Sequence, residues 1–235
     1  MRKPFVKCID CETANCLVKL NVNAEWIKKF EEHNQITFYK EGQQIVYENN
    51  PVLGLYFIQE GKAKIFSTGI NNKTQVVRLT GTGGVIGHRG YGGDVYPIGA
   101  IAIADSMICF IDNDTIYKAF LENPQLTFSL MMYYSKELRN SEAKIKNIAQ
   151  MNVKEKVIDA LLYIDDVFNS SSTTHKIISL SRKDLADLAG INPEQLSRIL
   201  TELKKEKFIS VKSNEINIEK IEELKAIISP FSKSY

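Results

Sequence analysis

The stretch SRKDLADLAGINPEQLSRILTEL, residues 181–203, contains two helix starts 11 positions apart. Ser181 is a good N-cap residue with Asp184 three positions on, and Leu185, Ala186, Leu188 and Ala189 give the turns that follow an apolar face. Gly190-Ile191 ends that helix. Asn192 caps the next one, Pro193 takes its first position, where a missing N–H costs nothing, and Gln195 fills the capping-box position. Two capped helices joined by a short turn containing glycine make a helix-turn-helix. At about 100° per residue, Leu196, Ile199, Leu200 and Leu203 share one sector, while Glu194, Ser197, Arg198 and Thr201 gather on the opposite side. Arginine can fork onto guanine, glutamate can accept from cytosine N4, and serine can bond to either. These residues stand in the N-terminal half of the helix, where recognition helices meet the bases. Arg182 and Lys183, which open the first helix, are counted with Glu194, Ser197 and Arg198 as expected DNA-binding residues. Phe208 to Val211 and Ile216 to Ile218, separated by Lys212-Ser213-Asn214-Glu215, read as a small hairpin, a wing beside the helices. A merely solvated surface helix lacks two caps at turn spacing plus a wing, so a winged helix-turn-helix that binds double-stranded DNA is expected.

Working back along the chain, no glycine occurs from Asn113 to Ala189. From Pro124 to Val153 the apolar residues Met131, Tyr134, Leu138, Ile145 and Ile148 recur in helical steps, and Ser141 fills the gap at heptad spacing. About 30 residues form a helix near 45 Å long, more than a domain of this size can cover, so the stripe is expected to pair with the same helix of a second copy. Pro124 suits the first turn of that helix. Residues 36–112 read differently. Ile45-Val46-Tyr47, Leu55 to Ile58, Lys62 to Phe66 and Gln75 to Leu79 are short β-type runs. Glycines fall between them at positions 42, 54, 61, 69, 81, 83, 84 and 87, the punctuation of an all-β sandwich or barrel.

With 235 residues, 44% hydrophobic and 25% charged, the chain can bury a real core. Its net charge of +2 is too small to point to nucleic acid or to a membrane by bulk attraction. No window of about 18 residues is free of charge, and Met1 to Leu20 lacks the apolar core of a secretion signal, so a soluble, cytoplasmic protein is expected. Four cysteines are too few to staple a fold of this size. No phosphate-binding glycine loop, HExxH or nucleophile elbow occurs. The three histidines, His33, His88 and His175, have no local carboxylate pairing, so no catalytic activity is expected.

The cysteines carry the second signal. Cys8-Ile-Asp-Cys11-Glu-Thr-Ala-Asn-Cys16 places three thiols in nine residues, and the fourth, Cys109, follows 93 positions after Cys16. Four thiolates brought together hold an iron–sulfur cluster or zinc, and short spacers of small or polar residues permit that. The spacing alone leaves an iron–sulfur cluster, zinc and unliganded reduced thiols open, and it disfavours a CxxC oxidoreductase, which needs a βαβ context.

A β-roll, a long helix with one stripe and a winged helix, in that order, resemble the CRP/FNR family of bacterial transcription regulators over the whole chain. Tyr39-Lys40-Glu41-Gly42 and Leu55-Tyr56-Phe57-Ile58-Gln59-Glu60-Gly61 are similar to the strand-turn repeats of its sensor domain. The cysteines resemble those of the FNR branch, oxygen-sensing regulators with a 4Fe-4S cluster. That branch has an N-terminal cysteine cluster and one distant cysteine in a late strand of the β-roll, as Cys109 stands in Ser106-Met107-Ile108-Cys109-Phe110. Its recognition pattern Glu-x-x-Ser-Arg stands here as Glu194-Gln-Leu-Ser197-Arg198. The resemblance implies an α+β fold with a cysteine-rich arm (1–20), a β-roll sensor domain resembling a cyclic-nucleotide-binding jelly roll (21–122), a dimerisation helix (123–152) and a winged helix-turn-helix (153–235). It further implies Cys8, Cys11, Cys16 and Cys109 as cluster ligands on a flexible arm and a strand, a homodimer, TTGAT-like half-sites read by Glu194, Ser197 and Arg198, and RNA polymerase as a partner. Under oxygen or nitric oxide the loss or conversion of the cluster is expected to alter the dimer.

Two departures stand out. Four residues, where the FNR pattern has five, separate Cys11 from Cys16, which makes a tighter loop. Ser141 replaces an acidic residue on the dimer seam, so dimerisation is expected to depend less on the cluster. The cyclic-nucleotide branch uses a glutamate after a glycine and an Arg-Ser pair. The matching stretch, Gly87-His88-Arg89-Gly90 through Val95 to Ala100, has neither, so no cyclic nucleotide is expected, there being no buried cation for its phosphate. Arg89 is expected at the surface and His88 exposed in a glycine loop, with haem sensing a minor alternative.

Overall fold

The computed structural model describes residues 6–169, 176–177, 180–212 and 215–232. Two helices, α1 (Leu17–Asn21) and α2 (Ala24–His33), lead into β1 (Gln35–Tyr39), β2 (Gln44–Val46), β3 (Gly54–Glu60), β4 (Lys62–Thr68), β5 (Thr74–Gly81), β6 (Val85–Ile86), β7 (Gly99–Ala102) and β8 (Ser106–Asp112). Helices α3 (Asn113–Glu122), α4 (Pro124–Gln150) and α5 (Val153–Asn169) follow. The chain then passes through β9 (Lys176–Ile177), α6 (Arg182–Ala189), α7 (Pro193–Lys205), β10 (Ile209–Lys212), β11 (Glu215–Ile218) and α8 (Ile221–Ser232). This is the expected α+β order of β-roll, long helix and winged helix-turn-helix. The chain forms two compact units, one of residues up to 73 with 77–136, the other of residues 74–76 with those from 137 on.

The glycine-punctuated strands form two four-stranded sheets, ordered β1-β8-β3-β6 and β2-β7-β4-β5. Side chains alternate across a strand, so each residue's parity decides which core it enters. On β8, Ile108 joins the core shared by both sheets with Ile45, Ile58, Ile65, Ile86 and Ala100. Cys109 and Ile111 have the opposite parity. They meet Leu55 and Phe57 of β3 in a second core, closed by Val18 of α1, Trp26 and Phe30 of α2, Ile116 and Ala119 of α3, and Leu126 of α4. The outer face of the first sheet is therefore covered by helices. Phe30, Ile116 and Leu126 are fully buried there, each contributing about 1.5–3 kcal/mol by area. Asp112 ends β8 and caps α3 at once, its carboxylate accepting from the Thr115 N–H at 2.9 Å. The strand that carries Cys109 thus passes without a loop into the helices below it.

In the second unit the expected caps are present. Ser181 accepts from the Asp184 N–H at 3.0 Å, and Gly190 ends α6 in the left-handed region at φ 68°. Asn192 and Gln195 form a complete capping box, with Pro193 opening α7. Leu196, Ile199, Leu200 and Leu203 are buried, in a unit whose other buried residues include Val157, Leu161 and Ile164 of α5, Leu185 of α6 and Leu224 of α8. Strands β10 and β11 pair antiparallel from Ile209↔Ile218 to Lys212↔Glu215 as the wing, with β9 on the far side of β11. Ser213 and Asn214, expected at the wing's turn, lie outside the described residues, as does His175.

Candidate metal centre and nucleic-acid interface

Cys8, Cys11, Cys16 and Cys109 line one partly open pocket. Its walls are Val18, Phe30, Phe57, Ile58 and Ile111, with Thr13, Lys19, Asn34, Gln59 and Gly83 at the remaining positions. Cys109 sits on an inner strand, opposite Ile36 of β1 on one side and Phe57 of β3 on the other. The other three thiols come from a loop that is laid against the sheet. Turns close it through Asp10 N to Lys7 O, Cys11 N to Cys8 O and Cys16 N to Thr13 O. The Thr13 hydroxyl donates to Gln59 O at 2.9 Å, and Gln59 Nε2 donates to Val6 O at 2.9 Å, which ties the loop to the end of β3. Lys19 donates to Ile9 O at 3.2 Å and to Cys11 O. Gly83, at φ 84°, brings backbone so close that a Cβ there would stand 3.0 Å from Asn15.

All four cysteines are free of disulfides. Burial pushes the Cys109 thiol up to about 12, helped by Cys16, Cys11 and Cys8. Burial, then Cys16 and Cys11, pushes Cys8 up to about 11 against the pull of Lys19. Cys16 is also raised, by burial above all, although the Lys19 and Val18 N–H groups act the other way. At Cys11 burial acts upward but is outweighed by hydrogen bonds with Thr13 and Gln59 and by Lys19, so its pKa is lowered. The sulfurs thus feel one another's charge in a largely apolar pocket, and a cationic metal centre would invert that penalty. This donor set fits a tetrathiolate iron–sulfur group or zinc. Among the described residues no three Cys, His, Asp or Glu side chains are closed on a single ion position; the thiols are gathered round the cavity.

Two expectations are corrected, that His88 is exposed and that no buried cation is present. His88 is 1% exposed, because Gly87 at φ 87° turns the chain inward. Neither of its ring nitrogens has a hydrogen-bond partner, and the ring lies edge-on to Tyr133 and Tyr134 at 5.2 and 5.4 Å. Burial, then Arg78 and Arg89, lowers its pKa to about 3. Arg78 is a buried cation that the sequence reading did not count; it donates to the Tyr133 hydroxyl and, at 2.8 Å, to Val85 O. Arg89 is exposed, as expected.

On α4, Met131, Leu138 and Ile145 are 55%, 61% and 70% exposed, and Ile148 is exposed as well. Tyr134 departs from this stripe, since it is half-buried and its hydroxyl donates to His88 O. Ser141 donates to Glu137 O at 2.9 Å. Phe128 and Met132, which the stripe omitted, add further exposed apolar surface. On α7, Glu194, Ser197, Arg198 and Thr201 are exposed together, and Arg182 and Lys183 are exposed in the first turn of α6. Lys154 of α5 pairs with Glu202 and Glu206 at 2.7 and 2.8 Å, so the carboxylates at the far end of α7 are engaged internally. Such partly exposed pairs contribute less than about 1 kcal/mol.

Residues 155–227 match the model of the Crp-like helix-turn-helix domain, and residues 36–123 match that of the cyclic nucleotide-binding domain. The chain is 22% identical over 214 residues to the transcriptional activator protein Anr of Pseudomonas protegens, covering 90% of this chain and 88% of that one. It is 23% identical over 219 residues to the fumarate and nitrate reduction regulatory protein of Vibrio cholerae, covering 91% and 86%. The structure of FixK2 from Bradyrhizobium japonicum superposes with a TM-score of 0.73 at 21% identity, covering 82% of this chain and 96% of that one.

Proposed function

The chain belongs to the CRP/FNR family of DNA-binding transcription regulators, and within it we propose a homodimer controlled by an iron–sulfur cluster, of the 4Fe-4S type, held by Cys8, Cys11, Cys16 and Cys109. The observation that carries this reading is that thiols 93 positions apart in sequence line one cavity. The names of the FNR and Anr relatives agree with it. When bound, such a cluster supplies a centre that oxygen or nitric oxide converts or destroys.

The chain's own residues do the rest. The Cys8–Cys16 loop forms one wall and β8 the other, so ligation ties the loop to the sheet. Cys16 and Cys109 pack on the same core as Leu126 and Tyr133 of α4, so tying or releasing the loop acts on the first turns of that helix. Met131, Tyr134, Leu138, Ser141, Ile145 and Ile148 form the proposed dimer seam, in which Tyr134 is half-buried within its own chain with its hydroxyl on His88 O. Two α7 helices roughly 34 Å apart read the two halves of a palindromic, TTGAT-like site through Glu194, Ser197 and Arg198. Arg182 and Lys183 add DNA contacts, and RNA polymerase is the partner that takes up the bound dimer. A small change in how the α4 helices pair decides whether both half-sites are reached. The activity is regulatory and not catalytic, and the protein works in the cytoplasm.

The test is a visible spectrum with iron and sulfide analysis on protein purified without oxygen, repeated in air. A brown protein with about four irons per chain that bleaches in air is expected. A colourless protein made under the same conditions overturns the cluster; bound zinc would then identify a structural tetrathiolate site.

A further inference from the structure

We infer that Lys19 is a positioning residue for the cysteine cavity, pinning the Cys8–Cys16 loop by two backbone carbonyls and setting a fixed positive charge beside the four thiols. The inference rests on the proposed cluster and deepens it, since Lys19 is not a ligand.

Lys19 stands in α1, just past Cys16, and reaches back across the loop. Its ammonium donates to Ile9 O at 3.2 Å and to Cys11 O, the carbonyls that bracket Asp10 between the first two cysteines. Ordering a long lysine side chain costs rotamer entropy, and two hydrogen bonds from a charged donor outweigh that cost. With those carbonyls turned toward the ammonium, the Cys8 and Cys11 side chains are left on the cavity side, where both line the wall. Gln59 of β3 holds the loop on either side of this point, accepting from Thr13 and donating to Val6 O, while Lys19 supplies the side-chain bonds to the stretch between Cys8 and Cys11. Lys7, in the same segment, instead places its charge on Glu31 at 3.1 Å.

Charge is the second part of the argument. Among the described residues that line the cavity, Lys19 alone is a lysine, arginine, aspartate or glutamate. An iron–sulfur core on four thiolates carries net negative charge, and a largely apolar wall leaves it poorly solvated. A fixed cation at the wall offsets that charge without occupying a ligand position, as outer-shell groups do at metal sites.

The test compares wild type, Lys19→Met and Lys19→Arg, each checked for folding by thermal unfolding, in reconstitution without oxygen at increasing ferrous iron with excess sulfide. Loss of an outer-shell partner typically weakens metal affinity by about 10- to 100-fold. Lys19→Met is therefore expected to need about tenfold more iron for half-occupancy and to bleach faster in air, with Lys19→Arg restoring both. A folded Lys19→Met that loads and bleaches like wild type overturns the inference, as does a folded Lys19→Arg no better than Met. Wild type that takes up no iron overturns the cluster reading and this role with it, whereas loading in wild type with no change in Lys19→Met overturns this role alone.

Discussion

The proposed DNA-reading surface and the cysteine cavity are built on opposite plans. Glu194, Ser197 and Arg198 lie within five residues on one helix, exposed, with their positions set by a capping box and four buried residues on the same helix. The cavity joins a loop to a strand 93 positions away, and that loop is held by hydrogen bonds to α1 and β3. A reading surface must offer its polar groups to a partner, so local helix periodicity is enough. A site that shelters a reactive group needs walls, and walls come from distant parts of the chain. The two plans therefore fail in different ways when mutated.

Cys109→Ser gives the largest break in this contrast. It removes the one thiol fixed on a paired strand, and iron after reconstitution without oxygen is expected to fall from about four per chain to near zero while the fold persists. Retention of the full cluster spectrum would contradict the four-cysteine assignment. Arg198→Ala tests the other plan: it is expected to lose about 1–3 kcal/mol of discrimination at a single base pair, read by competition between substituted sites, with iron content unchanged. A change in iron content would show that the two regions are not separable in this way.

His88 sharpens the contrast through pH. Its pKa is lowered from 6.5 to about 3 on folding, so between those values the unfolded chain takes a proton that the folded chain refuses. The stability it contributes is complete above pH 6.5 and is lost as pH falls toward 3, about 2 kcal/mol by pH 5. Urea unfolding at pH 7 and pH 5 should show that loss, and His88→Phe should remove this part of it. The smallest effect is expected from Asn192→Ala, which opens the capping box of α7 and costs about 1 kcal/mol by urea unfolding, without altering cluster uptake.

The winged helix-turn-helix was legible residue by residue, because caps and helical periodicity are local signals: Ser181, Gly190, Asn192 and Gln195 each do what the spacing predicts. The strands were legible from their glycines. What was not legible depended on distant partners. Arg78 reads as an ordinary strand residue until Tyr133, 55 positions later, offers a hydroxyl. His88 reads as exposed because it follows a glycine, yet that glycine's left-handed turn is what buries it. The cysteine spacing announced a metal-binding pattern, but the loop's anchoring at Thr13, Lys19 and Gln59 needed the position of β3. Trp26 and Phe30, four apart on α2, were not singled out in the sequence, and it is the sheet face they cover that gives them their role.

The sheet order β1-β8-β3-β6 has a consequence for biosynthesis. The strand bearing Cys109 is added last among these four, yet it inserts between β1 and β3, which had no other strand to hold them together. At roughly 5–20 residues per second, the ribosome adds the 93 residues from Cys16 to Cys109 in about 5–20 s. For that interval the nascent chain carries three cysteines without their fourth wall. If the site holds the proposed cluster, its loading would follow closure of the sheet.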